Sequence, residues 1–254
     1  MVAVGQEPLI LGETVVLHSH ILDEPRALNI VLPAGYQADD TTRYPVIYLL
    51  DGGVDEDLIH VAGALQFATF EWIGWQQPSI LVGIVNVDRR RDLTHPSSVA
   101  TDMTADPTAG RSAMFMDFIG SELCPFIEKR YRTGSARILI GQSLGGLFAA
   151  EVLIKRPELF TDLVIVSPSL WWDNGSVLQV PPAFAHRPAQ APAQVFIAVG
   201  KEGRVMERGA KRLATLAARS RGTRVEFTHL RKHDHANILH QAVLDAFRWM
   251  GENP

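Results

Sequence analysis

Arg137-Ile138-Leu139-Ile140-Gly141-Gln142-Ser143-Leu144-Gly145-Gly146 is the stretch on which the fold turns. Its apolar run reads as a strand buried on both faces. Gly-x-Ser-x-Gly follows at once, and helical periodicity continues over Gly145–Ile154. Strand, Gly-x-Ser-x-Gly and helix together make an elbow whose strained turn lifts a serine hydroxyl to the top of a sheet. Small residues two positions either side of Ser143 are expected, because the two backbones pass close together there. With glycine near 7% of residues, chance alone would place the motif in a chain of this length about once in ten to twenty. The weight therefore rests on its context.

Outward from the elbow, Pro45–Leu50, Ile80–Val85, Leu163–Val166 and Val195–Val199 are further short apolar runs of the buried-strand kind. Glu13–Leu17 and Ala27–Leu32 alternate like hairpin or edge strands around a turn at Asp23-Glu24-Pro25, and Arg224–Thr228 reads as a last strand. Helical periodicity covers Leu58–Trp72, Ser112–Glu128, Arg208–Arg219 and Asn237–Met250. Strands alternating with helices predict an α/β fold, a mostly parallel sheet with helices on both faces and antiparallel N-terminal strands. Ligands in such sheets bind beyond the carboxyl ends of the strands.

The 254 residues carry no linker, charge block or repeat, so a single domain over 1–254 is expected. A net charge of -4 without a basic, aromatic-studded stripe argues against nucleic acid as a partner. One cysteine, Cys124, allows no intrachain disulfide. The first residues lack a basic segment before a long apolar one, and no apolar run is long enough to span a bilayer. These readings predict a cytoplasmic chain with no membrane association, and they leave homo-oligomerisation open.

A serine hydroxyl needs a base within hydrogen-bond reach, itself oriented by an acid. With the order serine, acid, histidine, the base falls after Ser143. His235, in the loop ahead of Asn237, is favoured over His233, while His229 ends a strand and His240 lies inside a helix. A His233-x-His235 metal pair lacks further ligands nearby, so no metal and no cofactor are expected. Glu202, leaving the strand end Val199-Gly200-Lys201, is the chosen acid, with Asp173 and Glu207 as alternatives. The oxyanion hole needs two backbone N–H donors, assigned to Leu144 and to Gly53 in Leu50-Asp51-Gly52-Gly53-Val54.

Tyr44-Pro45-Val46-Ile47-Tyr48-Leu49-Leu50-Asp51-Gly52, Arg89-Arg90-Arg91-Asp92-Leu93-Thr94 and Ser167-Pro168-Ser169-Leu170-Trp171-Trp172-Asp173, with His18-Ser19 and Arg26, carry a resemblance over nearly the whole chain. The sequence resembles the branch of the α/β-hydrolases that holds enterobactin-type siderophore esterases and relatives of esterase D. That resemblance implies the α/β-hydrolase fold, maps an oxyanion donor onto Gly53 and matches Asp234-His235 to the family's histidine pair. The family's acid often follows as Gly-x-Glu-Glu, where this chain has a single glutamate after Lys201. Its elbow commonly reads Gly-His-Ser, and Gln142 stands here in place of that histidine.

On the substrate side, Trp171 and Trp172 offer an apolar wall, and Arg89 and Arg91 are candidates to meet an anionic or catechol-bearing ester. The long loop Asp88–Gly110 is expected to shape the site, and Asn174–Gln194 reads as a small flap. The chemistry expected is hydrolysis of a small-molecule carboxylic ester through an acyl-enzyme. Acyl transfer from the same intermediate is the alternative, and a non-catalytic binding module is the third reading.

Overall fold

The computed structural model describes residues 5, 7–183, 192–220 and 222–252. Eight strands, β1 (Glu13–Ser19), β2 (Glu24–Val31), β3 (Tyr44–Leu49), β4 (Ile80–Ile84), β5 (Thr133–Gln142), β6 (Asp162–Val166), β7 (Gln194–Gly200) and β8 (Arg224–Leu230), form one sheet. Their order is β1-β2-β4-β3-β5-β6-β7-β8. Only the β1–β2 and β2–β4 pairings are antiparallel; from β4 to β8 the sheet is parallel.

The continuous apolar runs follow from burial on both faces. Ile47, Leu49, Ile138, Ile140, Val164, Val166, Phe196 and Ala198 face α1 (Leu58–Ala68) and α8 (Ile238–Glu252). Their neighbours Val46, Tyr48, Leu139, Leu163, Ile165, Val195 and Ile197 face the opposite layer. That layer holds α4 (Ser112–Phe118), α5 (Cys124–Arg130), α6 (Leu144–Lys155) and α7 (Arg204–Ala217). Successive strand residues point to opposite faces, so a sheet covered twice leaves no position for a polar alternation. Helix α4 runs on into α5 through a π turn at Ile119–Leu123, just ahead of Pro125, which has no N–H to give to a helical ladder.

Several boundaries differ from the sequence reading. The first hairpin turns before Glu24, with Asp23 at φ 53°, and Pro25 lies inside β2. Proline is tolerated there because β2 meets β4 only from Leu28 onward. Strand β5 begins at Thr133, well ahead of its apolar run. The loop after β4 holds two short helices, α2 (Arg89–Leu93) and α3 (Ala100–Ala105). The expected flap includes a 3-10 turn over Trp172–Gln179, and its residues 184–191 lie outside the described residues. No helix among the described residues is long and apolar enough to cross a membrane.

Candidate active site

The parallel strands deliver their carboxyl-end residues to one edge of the sheet, and Ser143 sits at its centre between β5 and α6. Its backbone is held at φ 59°, ψ -116°, in the left-handed half of conformational space that a side chain enters only at a cost. Tight packing enforces the turn. A Cβ on Gly141 would lie 2.4 Å from the Gly145 carbonyl oxygen, and one on Gly146 would lie 2.8 Å from that of Val166. Ser143 N–H donates to the Val166 carbonyl at 3.0 Å, and Ser169 N–H donates to the Ser143 carbonyl at 3.0 Å. The Ser143 and Ser169 hydroxyls are 3.3 Å apart.

His235 occupies the loop between β8 and α8, where Asp234 and Asn237 side chains cap the turn through the Ala236 and Asp234 N–H groups, both at 3.0 Å. Its Nδ1 lies 2.6 Å from Glu202 Oε2. The glutamate side chain is 4% exposed and the imidazole 45%. Gly200 N–H donates to Glu202 Oε1 at 2.9 Å, and the fully buried Ser167 hydroxyl donates to the same oxygen. A carboxylate only accepts, so Nδ1 must carry the proton and Nε2 is left as the acceptor. Ser143 and His235 line the same cleft but make no hydrogen bond to each other here, a contact that is often long until substrate binds.

The alternatives for acid and base are engaged elsewhere. Asp173 accepts from Ser98 N–H and the Ser98 hydroxyl at 2.8 Å each and from the Ser97 hydroxyl at 3.3 Å. Hydrogen bonds from Ser176, Ser98 and Ser97 pull its carboxyl down to about 2. Asp102 accepts from the Ser97 hydroxyl at 2.7 Å and from Asp173 N–H at 3.1 Å, which fastens the loop after β4 to the turn after β6. Glu207 accepts from Gly203 N–H at 3.1 Å, and His233 Nδ1 pairs with Asn237 Oδ1 at 3.2 Å.

Leu144 is the first residue of α6, directly after Ser143, so its N–H has no acceptor within the helix. Gly53 lies in the neighbouring loop, but its N–H donates to Glu56 Oε2 at 2.8 Å while Glu56 N–H returns to the Gly53 carbonyl at 3.1 Å. This reciprocal pair closes a tight turn ahead of α1.

The cleft has two lobes meeting at Ser143 and His235. One, of about 300 Å³, is lined by Asp51, Glu56, Asp57, Arg89 and Gln142. The other, of about 380 Å³, is lined by Ser169, Trp171, Lys201, Met206 and Asp234. In the first lobe Arg89 grips Asp51 with two bonds, 2.6 and 2.7 Å, and Asn86 links Asp51 to Glu56 at 2.7 Å on each side. Burial opposes the charge on Arg89, but hydrogen bonding and attraction from Asp51 prevail and raise its pKa. Burial, reinforced by the charge of Asp51, pushes Asp57 up to about 6.

The paired candidates therefore separate. Trp171 is 47% exposed on the second lobe, whereas Trp172 is 2% exposed and donates its indole N–H to the His95 carbonyl at 2.8 Å. Arg89 faces the cleft; Arg91 instead pairs with Glu24 and Asp92 beside the fully buried Arg26. Trp172 and Arg91 are thus parts of the scaffold, turned from the cleft because neighbouring residues of one short helical turn point different ways. The sequence reading gave no role to Asn86, Asp57, Ser167 or Ser169. The two serines lay in a quoted segment, and their positions at the end of β6 were the available signal.

The family model described as Putative esterase matches residues 19–242. Ferri-bacillibactin esterase BesA of Bacillus subtilis is 28% identical over 248 residues, covering 89% of this chain and 86% of the relative. Among solved structures, the BES protein from Bacillus cereus superposes with a TM-score of 0.84 at 26% identity, covering 98% of this chain and 99% of the other. An IroE-like serine hydrolase from Shewanella oneidensis gives 0.81 at 29% identity, covering 95% and 80%. The architecture is that of the α/β-hydrolases.

Proposed function

This chain belongs to the Putative esterase family, and from that premise we propose that Ser143, His235 and Glu202 act as nucleophile, base and orienting acid. The enzyme is a serine esterase. The observation that carries the residue assignment is the 2.6 Å contact of His235 Nδ1 with a buried carboxylate beside the strained serine turn. Nδ1–H held by Glu202 leaves Nε2 to take the Ser143 proton as Oγ attacks the ester carbonyl. The oxyanion is held by Leu144 N–H, joined by Gly53 N–H when the Glu56 carboxylate turns aside. Collapse of the tetrahedral intermediate expels the alcohol with a proton from His235, and water repeats the sequence to free the acid. A base that is 45% exposed gives water ready access, which favours hydrolysis over acyl transfer.

The substrates are small carboxylic esters, with siderophore-type esters the leading class. The relative named for ferri-bacillibactin supports that class, as do two open lobes either side of Ser143. A fluorophosphonate probe followed by peptide mass spectrometry tests the nucleophile. Modification at Ser143 is expected, together with loss of nitrophenyl-ester turnover in Ser143→Ala and His235→Ala. Modification at any other residue overturns the mechanism. A siderophore ester cleaved no faster than a simple nitrophenyl ester overturns the substrate class.

A further inference from the structure

Gln142 precedes the nucleophile, and its side chain does something the hydrolytic scheme leaves unassigned. Its amide N–H donates to the backbone carbonyl of His235 at 2.6 Å, joining residues 93 positions apart in sequence. One hydrogen bond thus ties the turn bearing Ser143 to the loop bearing His235. Other bonds fasten that loop elsewhere. Lys201 N–H donates to the His233 carbonyl at 2.7 Å, and Glu202 holds the His235 ring at Nδ1. Both lead back to β7, the strand that supplies the acid. Without Gln142 the base would be registered to the acid, and its distance to the nucleophile would be set only indirectly, through the sheet.

We propose that Gln142 is a positioning residue that sets the His235 base against Ser143 by holding the His235 backbone to the nucleophile turn. This rests on the assignment of His235 as base. The Gln142 backbone carbonyl is itself approached by Arg89 Nη2 at 3.5 Å, and Arg89 is anchored on Asp51. The clamp therefore starts from a fixed point. A general base works only within hydrogen-bond reach of the proton it takes, and small misplacements are expensive in rate.

The test compares Gln142→Met, which keeps length and removes the donor, with Gln142→His, which restores a ring N–H of similar reach. Ser143→Ala and His235→Ala are the references, and kcat, KM and thermal melting are measured with a short-chain nitrophenyl ester. Gln142→Met is expected to lower kcat roughly ten- to a hundredfold with KM and melting unchanged, and Gln142→His to recover most of the loss. The proposal is overturned if Gln142→Met keeps wild-type kcat while His235→Ala is dead, a result that leaves the triad reading intact. It is also overturned if KM rises instead of kcat falling, or if Gln142→His is as slow as Gln142→Met. An active His235→Ala removes the triad reading and this inference together.

Discussion

Replacing Glu202 by glutamine separates what the carboxylate does for folding from what it does for His235. Gly200 N–H is an obligate donor 2.9 Å from Oε1, and the Ser167 hydroxyl donates to the same oxygen. The amide of Glu202→Gln must therefore keep its oxygen on that side and turn its NH2 toward Nδ1, 2.6 Å away in the parent. Nδ1 is then forced to accept, Nε2 carries the proton, and the imidazole is in the wrong tautomer to receive one from Ser143. A tautomer error of this kind costs about 10⁴ in kcat, or roughly 5 kcal/mol of barrier. Glu202→Ala behaves differently. It leaves both donors without an acceptor at a site 4% exposed, at about 1–3 kcal/mol each. For a chain this long, that is roughly 2–4 °C of melting temperature per kcal/mol. The alanine variant frees the half-exposed ring to choose its tautomer, so it is the less stable protein and the less damaged catalyst. Nitrophenyl-ester kinetics beside thermal melts decide the matter. Glu202→Gln retaining more than about one per cent of kcat would refute the reasoning.

The two tryptophans and the two arginines should part in the same way. Trp172→Ala should cost about 3–5 kcal/mol in denaturant melts, while Trp171→Ala leaves stability unchanged and lowers kcat/KM for bulky acyl esters roughly tenfold relative to acetate. Arg89→Met should reduce the preference for anionic over neutral esters about two- to fivefold. Arg91→Met should leave that preference alone and destabilise by about 3 kcal/mol, since it strips a partner from buried Asp92. Asp57 holds its proton to about 6 when folded, against 3.8 unfolded. Stability should therefore fall as pH climbs through that interval, and Asp57→Asn should melt higher than the parent at neutral pH but level with it below the unfolded value. Glu56→Ala should raise kcat by freeing Gly53 N–H and lower stability by about 1 kcal/mol through loss of the hydrogen bond that closes the turn before α1. A fall in kcat would take Gly53 out of the oxyanion site.

The central strands and the elbow were legible because double-sided burial writes itself as unbroken apolar runs, as in Leu163–Val166. The first residues of β5, Thr133-Gly134-Ser135, carry no such signature, although they continue the strand ahead of its apolar run. Helices α2 and α3 have five and six residues, fewer than two turns, so no amphipathic period can accumulate. The pairing of Glu202 with His235 followed from chain order and strand ends alone. The inward turn of Trp172 and the diversion of Arg91 to Glu24 depend on the rotation of a single helical turn, which adjacent identical residues cannot encode. Nor does residue spacing reveal that Glu56 reaches back to Gly53.

The bonds that Asp173 makes with Ser98 and Asp102 carry a consequence for how the enzyme keeps time. They join the wall bearing Arg89 to the wall bearing Trp171 across the mouth of the cleft. Walls joined in this way are expected to admit an ester by diffusion and fit, without binding energy spent on parting them. With Ser143 as the proposed nucleophile, turnover is expected to follow bond making and breaking there, and kcat to stay constant as a viscogen such as sucrose is added.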